Sequence, residues 1–530
     1  MSASGVPTGG VPTGDSAAGD GTDYLATGDS AGLSVPGPVA ADVAPTGGAA
    51  AGDGAADAPG LRVRGWRCAV CGGERSIAEA MPWRCPNAIG ADRHHHVLQL
   101  VNDQSTAFTG PPLLTHSTAS AGAPAADQAI SSPTSLGENR PFERYDHLLA
   151  WAAHAEAHGI GTADRLAIVR ELDRAIEQVA GIGFRVTPFA RSDSLSDALG
   201  FAPDGGIYVK DETHGVAGSQ KARHLFTILL HLRALEELGQ LPHRVPLAIA
   251  SCGNAALAAA TLARAADWPI DVYVPTWMDD AFGVELDRLG ATTHRCERRP
   301  DDPPGDPAMH RFRAAVADGA IPFTGQGPEN ALALDGGRTI GWEIGEQAGA
   351  LGGLDQMYVQ VGGGAFATCL GAGLADLSPA TCLHAVQVEG CAPLERAWRR
   401  AVDRGLGPRE VAAGWADLMT AWDDPHSAAD GILDDETYDW LGVFDAMHRS
   451  EGDPVVAAEA DVLRANGLAV AAGYEVSVTG SAGLAGVIAS LSDTGVTASL
   501  SAAGGHPDPA AGRRIDPHER VGVVMSGVAR

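Results

Sequence analysis

The sequence predicts an α/β protein with open, twisted, mostly parallel sheets covered by helices on both faces. Three observations predict it. From about 205 to 491, short apolar strands alternate with Ala-rich helical stretches, as in parallel sheets flanked by helices. Strand-to-helix junctions are built from Gly, Ser and Asn, and ligands of such sheets sit beyond the strand carboxyl ends where these loops fall. Composition also breaks sharply near 60, 102 and 493, which separates a Cys-rich module and polar segments from the α/β region.

Residues 1–60 are Ala, Gly, Pro, Thr and Asp, with Val6-Pro-Thr-Gly repeated at 11–14. Such a segment buries too little apolar surface to offset its ordering entropy, so a disordered tail is expected. Residues 61–102 form a small Cys/His, ribbon-like module. Cys68 and Cys71 make a CxxC knuckle, and Cys85 opens a second that lacks its partner, because Ala88 stands at that position. His94, His95 or His96 could close the set, and His96 is chosen because it abuts the strand-like Val97-Leu-Gln-Leu. A structural zinc ion on Cys68, Cys71, Cys85 and His96 is the expectation. Ordinary buried cysteines beside an exposed His tract are the alternative.

A Ser, Thr, Ala and Pro-rich linker is expected at 103–140, then helices near 145–158 and 163–181. A strand from Ile207 leads into the helix after Lys221. Further strands are read at 245–250, 271–275, 357–361 and 383–390. Residues 392–450 are less regular, with several Trp and an acidic stretch at 423–440. A strand, turn and helix are read over 475–491, then a disordered insertion at about 493–517 and a closing strand at 521–527.

The net charge of −29 and pI near 4.9 argue against phosphate-backbone binding and anionic membrane surfaces. No apolar run reaches the length of a membrane span. The first residues have neither the basic nor the apolar region of a secretory signal. Eight mostly scattered cysteines suggest a reducing cytoplasm.

Of 37 Lys and Arg residues, only Lys210 and Lys221 are lysine. Arg supplies charge but neither an imine nor a base, so a lysine kept in so Arg-biased a chain is a candidate for amine chemistry. Lys221 stands on a turn into a helix, whereas Lys210 reads as the end of the preceding strand. Three loops accompany it. Gly362, Gly363, Gly364 and Ala365 lie between a strand and a helix, where amides can cradle a phosphate. Ser251, Cys252, Gly253, Asn254 and Ala255 form a second such turn, and Ser526 ends the last strand. Taken singly, each has a plainer reading as a dinucleotide fingerprint, a helix cap or a simple turn.

Together, Gly218-Ser-Gln-Lys221-Ala-Arg, Ser251-Cys-Gly-Asn254-Ala, Gly362-Gly-Gly-Ala365 and Val524-Met-Ser526-Gly resemble the fold-type II family of pyridoxal-phosphate enzymes. That family includes the tryptophan synthase β subunit, threonine synthase and the serine/threonine dehydratases. The resemblance runs from about Thr187 to Ser526. It implies a tryptophan synthase β-like, two-lobed, three-layer region over 141–530, with the smaller lobe at about 225–340. Asp335-Gly-Gly-Arg-Thr-Ile-Gly-Trp-Glu-Ile, His426-Ser-Ala-Ala-Asp-Gly-Ile-Leu and the cysteine module look most like threonine synthase. The triple glycine and Val386-Gln-Val-Glu-Gly look closer to the dehydratases.

The resemblance implies that Lys221 holds pyridoxal 5'-phosphate as a Schiff base and acts as base at the substrate Cα. Gly362 to Ala365 would bind the phosphate and Asn254 the ring's phenolic oxygen, while Ser251 to Ala255 hold the substrate carboxylate. Ser526 would meet the ring nitrogen. A neutral hydroxyl there does not enforce pyridinium, so it favours prompt loss of a leaving group over transamination. A lyase of threonine synthase type is therefore expected, acting by elimination or replacement on a hydroxy- or phospho-hydroxy amino acid. A threonine/serine ammonia-lyase is the nearest alternative, and an NAD-dependent dehydrogenase using Glu389 is the remote one. Ala222 and Cys252 depart from the usual motifs, and the substrate class is expected to be encoded there. A homodimer is expected by family analogy.

Overall fold

Thirteen strands form three sheets among the described residues of the computed structural model, which are 63–89, 95–102, 139–303, 305–491 and 515–529. The expected tail, most of the linker and insertion, and His94 lie outside them. β1 (Val63–Cys68), β2 (Glu74–Ser76) and β3 (Leu98–Asn102) make an antiparallel sheet in the order β2-β1-β3.

The α/β region opens with β4 (Phe189–Arg191) and β5 (Gly206–Asp211), paired antiparallel. β6 (Leu247–Ala250), β7 (Ile270–Pro275), β8 (Thr292–Cys296) and β9 (Ile321–Pro322) then form a parallel sheet in the order β8-β7-β6-β9. β10 (Gln356–Gln360), β11 (Cys382–Val388), β12 (Pro454–Ala457) and β13 (Arg520–Met525) return to the first pair. The result is a six-stranded sheet in the order β12-β11-β10-β13-β5-β4, parallel except for β4. Every residue of β10 and β11 is buried, as expected of strands covered on both faces. The fold is thus the α/β arrangement that the alternation of strands and helices predicts.

The expected helix at 145–158 is instead two short turns, Pro141–Arg144 and Asp146–Leu148, followed by Ala150–Ala157. The break falls at Leu149, which is extended, because the Ala150 N–H donates to Asp335 Oδ2 at 2.7 Å on another helix. The second expected helix runs Thr162–Ala180 and stops at left-handed Gly181. The strand expected at 475–479 is a single bridge, Val476 to Val528. The Gly480 N–H donates to Ser477 Oγ at 3.1 Å, and a Cβ at Gly480 would overlap the Ser526 carbonyl. The chain therefore turns into the helix Val478–Leu491, close against β13.

A four-charge cluster lies buried under the sheet edge. Lys210 Nζ donates to Glu343 Oε2 at 2.6 Å, to the Thr187 carbonyl at 2.8 Å and to Gln347 Oε1 at 2.9 Å. Arg223 bridges Glu343 Oε1 at 2.6 Å and Glu212 Oε1 at 2.9 Å. Burial works to raise the Glu343 carboxyl, but Arg223 and Lys210 outweigh it and hold it below its ordinary value. Lys210 is therefore a core residue, more than the end of its strand. All eight cysteines are free, and no described helix is long and apolar enough to cross a membrane.

Candidate active site

Lys221 is the first residue of the helix Lys221–Glu237, reached through left-handed turns at Ala217 (φ 56°) and Gly218 (φ 70°). Gly218 is required there, because Val528 Cγ2 would lie 2.8 Å from any Cβ. The chain leaving β13 grips this turn. The Val528 N–H donates to the Gly218 carbonyl at 3.1 Å, and the Gln220 N–H donates to Ser526 Oγ at 3.1 Å. Gly527, also left-handed (φ 96°), leaves room for Asn254, whose Nδ2 would lie 2.9 Å from a Cβ at that position. Asn254 opens the helix Asn254–Ala265, so Lys221, Asn254 and Ser526 share one corner although they come from three elements.

The triple glycine completes the site. It joins β10 to the helix Ala365–Leu377, with Gly364 left-handed at φ 90°. The Asp434 carboxylate lies against it and accepts the Gly363 N–H, while its Oδ2 fills the space that a Gly362 Cβ would need. The Asp439 N–H donates to the Gly363 carbonyl at 2.7 Å. Asp439 is fully buried. Its Oδ2 accepts the Gly327 N–H at 3.1 Å, and its Oδ1 has no partner among the described residues. Burial raises Asp434 to about 6 and Asp439 to about 7, partly opposed by Lys221 in both cases.

The two lysines differ completely. Lys210 has three hydrogen-bond partners, whereas Lys221 has no hydrogen bond or ion pair among the described residues. Burial pushes the Lys221 amine below its ordinary value, while Asp434, Cys369 and Asp439 act the other way. A lowered amine reaches its neutral, nucleophilic form more readily than an exposed one does. Ser219 Oγ, two residues before it, is also buried, with no partner among the described residues.

These residues fit pyridoxal phosphate. The amine has no partner among the described residues, and the glycine loop stands at a helix N-terminus with the Gly363 N–H able to donate to an anion, as it does to Asp434. Gly253 opens onto empty space, with nothing within 4 Å of a Cβ there, and Cys252 beside it is half-buried. Ala222, the other position expected to read the substrate, is fully buried in the core. An α-helix turns the residue after Lys221 away from the face that carries it. Glu389, the ribose ligand of the dehydrogenase alternative, caps the helix Glu459–Ala471 by accepting the Glu459 N–H at 3.0 Å.

Asp434 and Asp439 are the residues that sequence reasoning missed. The acidic stretch was visible, but nothing in it said that it folds onto the glycines. The signal lay in the glycines themselves, since three residues without Cβ leave a surface that another segment must cover. In the module, Cys68, Cys71, Cys85 and His96 come together with all four ligand atoms within 4.8 Å of one another.

Asp439 sets a pH dependence. The folded apo-protein holds a proton there between pH 3.8 and about 7 that the unfolded chain releases, so stability falls as pH rises through that window. Asp439→Asn removes this contribution and narrows the difference in thermal midpoint between pH 5 and pH 8. An unchanged difference in scanning calorimetry would contradict the assignment.

No curated protein matches the chain. Solved structures similar to it include processed threonine deaminase isoform 2 from Solanum lycopersicum, at 17% identity and TM-score 0.49, covering 70% of this chain and 86% of that one. Serine racemase from maize matches at 16% and 0.49, over 68% and 93% of the two chains. Serine racemase from Dictyostelium discoideum matches at 17% and 0.48, over 69% and 98%. The family model for pyridoxal-phosphate dependent enzymes matches residues 182–499, a span that holds Lys221, Asn254 and the glycine loop. By that match, the chain belongs to the family of pyridoxal-phosphate dependent enzymes.

Proposed function

We propose that the chain is a pyridoxal-phosphate lyase that acts on a hydroxy amino acid, with Lys221 as the residue that holds the cofactor and works as base. One observation carries this reading: of two lysines, one is consumed by a buried ion pair, and the other has no partner among the described residues and adjoins the turn held by Ser526. When bound, the cofactor supplies the electron sink for cleavage at the substrate's Cα. The chain supplies the rest. Lys221 Nζ takes the Cα proton, and Gly362 to Ala365 hold the phosphate at a helix N-terminus. Asn254 bonds the phenolic oxygen, and the Ser251–Ala255 turn holds the substrate carboxylate. Ser526 Oγ already accepts the Gln220 N–H, so its own hydrogen remains to be donated to an unprotonated ring nitrogen. That state favours loss of a β or γ leaving group.

Two substrate classes compete, and the ion pairs favour one of them. A phospho-hydroxy substrate, as in a reaction of threonine synthase type, needs cations of its own. The cations nearest the loops in sequence are already paired: Lys210 with Glu343, Arg223 with Glu212 and Glu343, and Arg338 with Asp335 and Asp376. This supports an unphosphorylated substrate and an ammonia-lyase reaction on threonine or serine. Cofactor-loaded enzyme is offered threonine, serine and O-phosphohomoserine in turn, and 2-oxo acid and inorganic phosphate are followed. Oxo acid from threonine or serine is expected. Phosphate release from O-phosphohomoserine would return the enzyme to the threonine synthase type, and no turnover of any of the three would sink the proposal.

A further inference from the structure

We propose that Cys68, Cys71, Cys85 and His96 bind one zinc ion, and that the ion fixes the N-terminal module as a strut against the segment lying on the glycine cradle. Zinc takes four S or N ligands in a tetrahedron, and Zn–S bonds of about 2.3 Å place ligand sulfurs roughly 3.8 Å apart. Cys71 Sγ and Cys85 Sγ lie 3.5 Å apart, as do Cys68 Sγ and His96 Nδ1. The four come from separate places: the end of β1, the turn after it, the turn after Trp83 and the approach to β3.

Two of the sulfurs, those of Cys71 and Cys85, accept N–H donors. The Gly73 N–H points at Cys71 Sγ (3.4 Å), the Asn87 N–H at Cys85 Sγ (3.4 Å), and Asn87 Nδ2 at Cys71 Sγ (3.3 Å). A Cβ on Gly73 would lie 2.8 Å from Asn87 Nδ2, so glycine is what lets these donors in. The module has a reason to need a metal. Its own buried apolar side chains are few, Val63, Trp66, Pro82, Val97 and Leu98 besides two of the ligands, and most of them pack into the core of the α/β region, so a metal would hold the module's own turns together. A Cys71–Cys85 disulfide would leave Cys68 and His96 without purpose; one ion uses all four.

His95, next to ligand His96, carries the strut. Its Nε2–H donates to the Tyr438 carbonyl at 2.7 Å, and its ring stacks on Trp415 at 4.4 Å and 9°. Tyr438 immediately precedes Asp439, whose N–H holds the Gly363 carbonyl. From metal to cradle the path therefore runs through His96, His95, Tyr438 and Asp439. Elsewhere the module is anchored by the Ala331 N–H on the Trp83 carbonyl at 3.0 Å, by Arg84 on Glu329, and by His231 on the Ala80 carbonyl at 2.7 Å.

The test uses the full chain and does not depend on the substrate. Elemental analysis of protein made with added zinc is expected to give about one zinc per chain, lost in Cys71→Ser and kept in Cys296→Ser. If Cys71→Ser is insoluble, release of zinc from the wild type to a chelating dye gives the same count. Absence of metal, or a mass two hydrogens light from a disulfide, overturns the site. Hydrogen exchange reads the strut: His95→Ala keeps the zinc, and exchange over residues 432–440 speeds up about fivefold or more. Unchanged exchange in His95→Ala overturns the strut while leaving the metal site standing.

Discussion

Lys221→Ala is expected to lose the visible absorbance that pyridoxal phosphate acquires on bonding to an enzyme amine. Turnover should fall by about 10²–10⁴-fold, the range for removing a positioned proton-transfer group. The wild type should be yellow and the variant colourless after gel filtration. The amine stands alone among the described residues, and the site holds no second lysine to replace it. Lys210 cannot substitute, because its ammonium is fully buried on Glu343, Thr187 and Gln347. A Lys221→Ala protein that still binds the cofactor covalently would overturn the assignment.

The second large effect is structural. Glu343→Gln keeps the shape of the side chain but removes half the negative charge from a buried set of two cations and two carboxylates. Lys210 and Arg223 would then share Glu212 alone, and breaking a buried pair in this way costs about 3–5 kcal/mol. Denaturant melts should show that loss, with Glu285→Gln as the control, since Glu285 pairs with Arg288 at the surface. A midpoint unchanged in Glu343→Gln would mean that the cluster is solvated or that its lysine is neutral. The position also lies close to function, because Arg223 is two residues from Lys221.

Much of this was legible from residue patterns. Apolar strands followed by Gly, Ser and Asn turns mark the carboxyl ends of parallel strands, so the loops of the site declared themselves. Lys221 stood out because Arg bias made lysine rare, and the module because Cys68, Cys71 and Cys85 keep ligand spacing. What failed to show depends on distant contacts. The roles of Asp434 and Asp439 are set by the glycines they cover, which lie far from them in the chain. Lys210 differs from Lys221 above all through Glu343, a partner supplied by a helix 133 positions away. The stretch 475–479 has strand-like residues, yet Gly480 must approach Ser526 so closely that a helix begins there instead. β8 holds too few apolar residues to signal a strand, and β9 is only two residues long.

The position of β13 governs how the enzyme comes into being. It lies between β10 and β5, and the residues it brings to the lysine turn join positions 306 apart in the chain. A nascent chain that has emerged through β12 holds the amine and the glycine loop on two half-sheets, each with an open edge that invites pairing with another molecule. Insertion of this one strand closes both edges and delivers Ser526 in the same step. A chain without β13 in place is therefore expected to be inactive, and a proteolytic nick between β12 and β13 that frees the last strand is expected to silence the enzyme without altering Lys221.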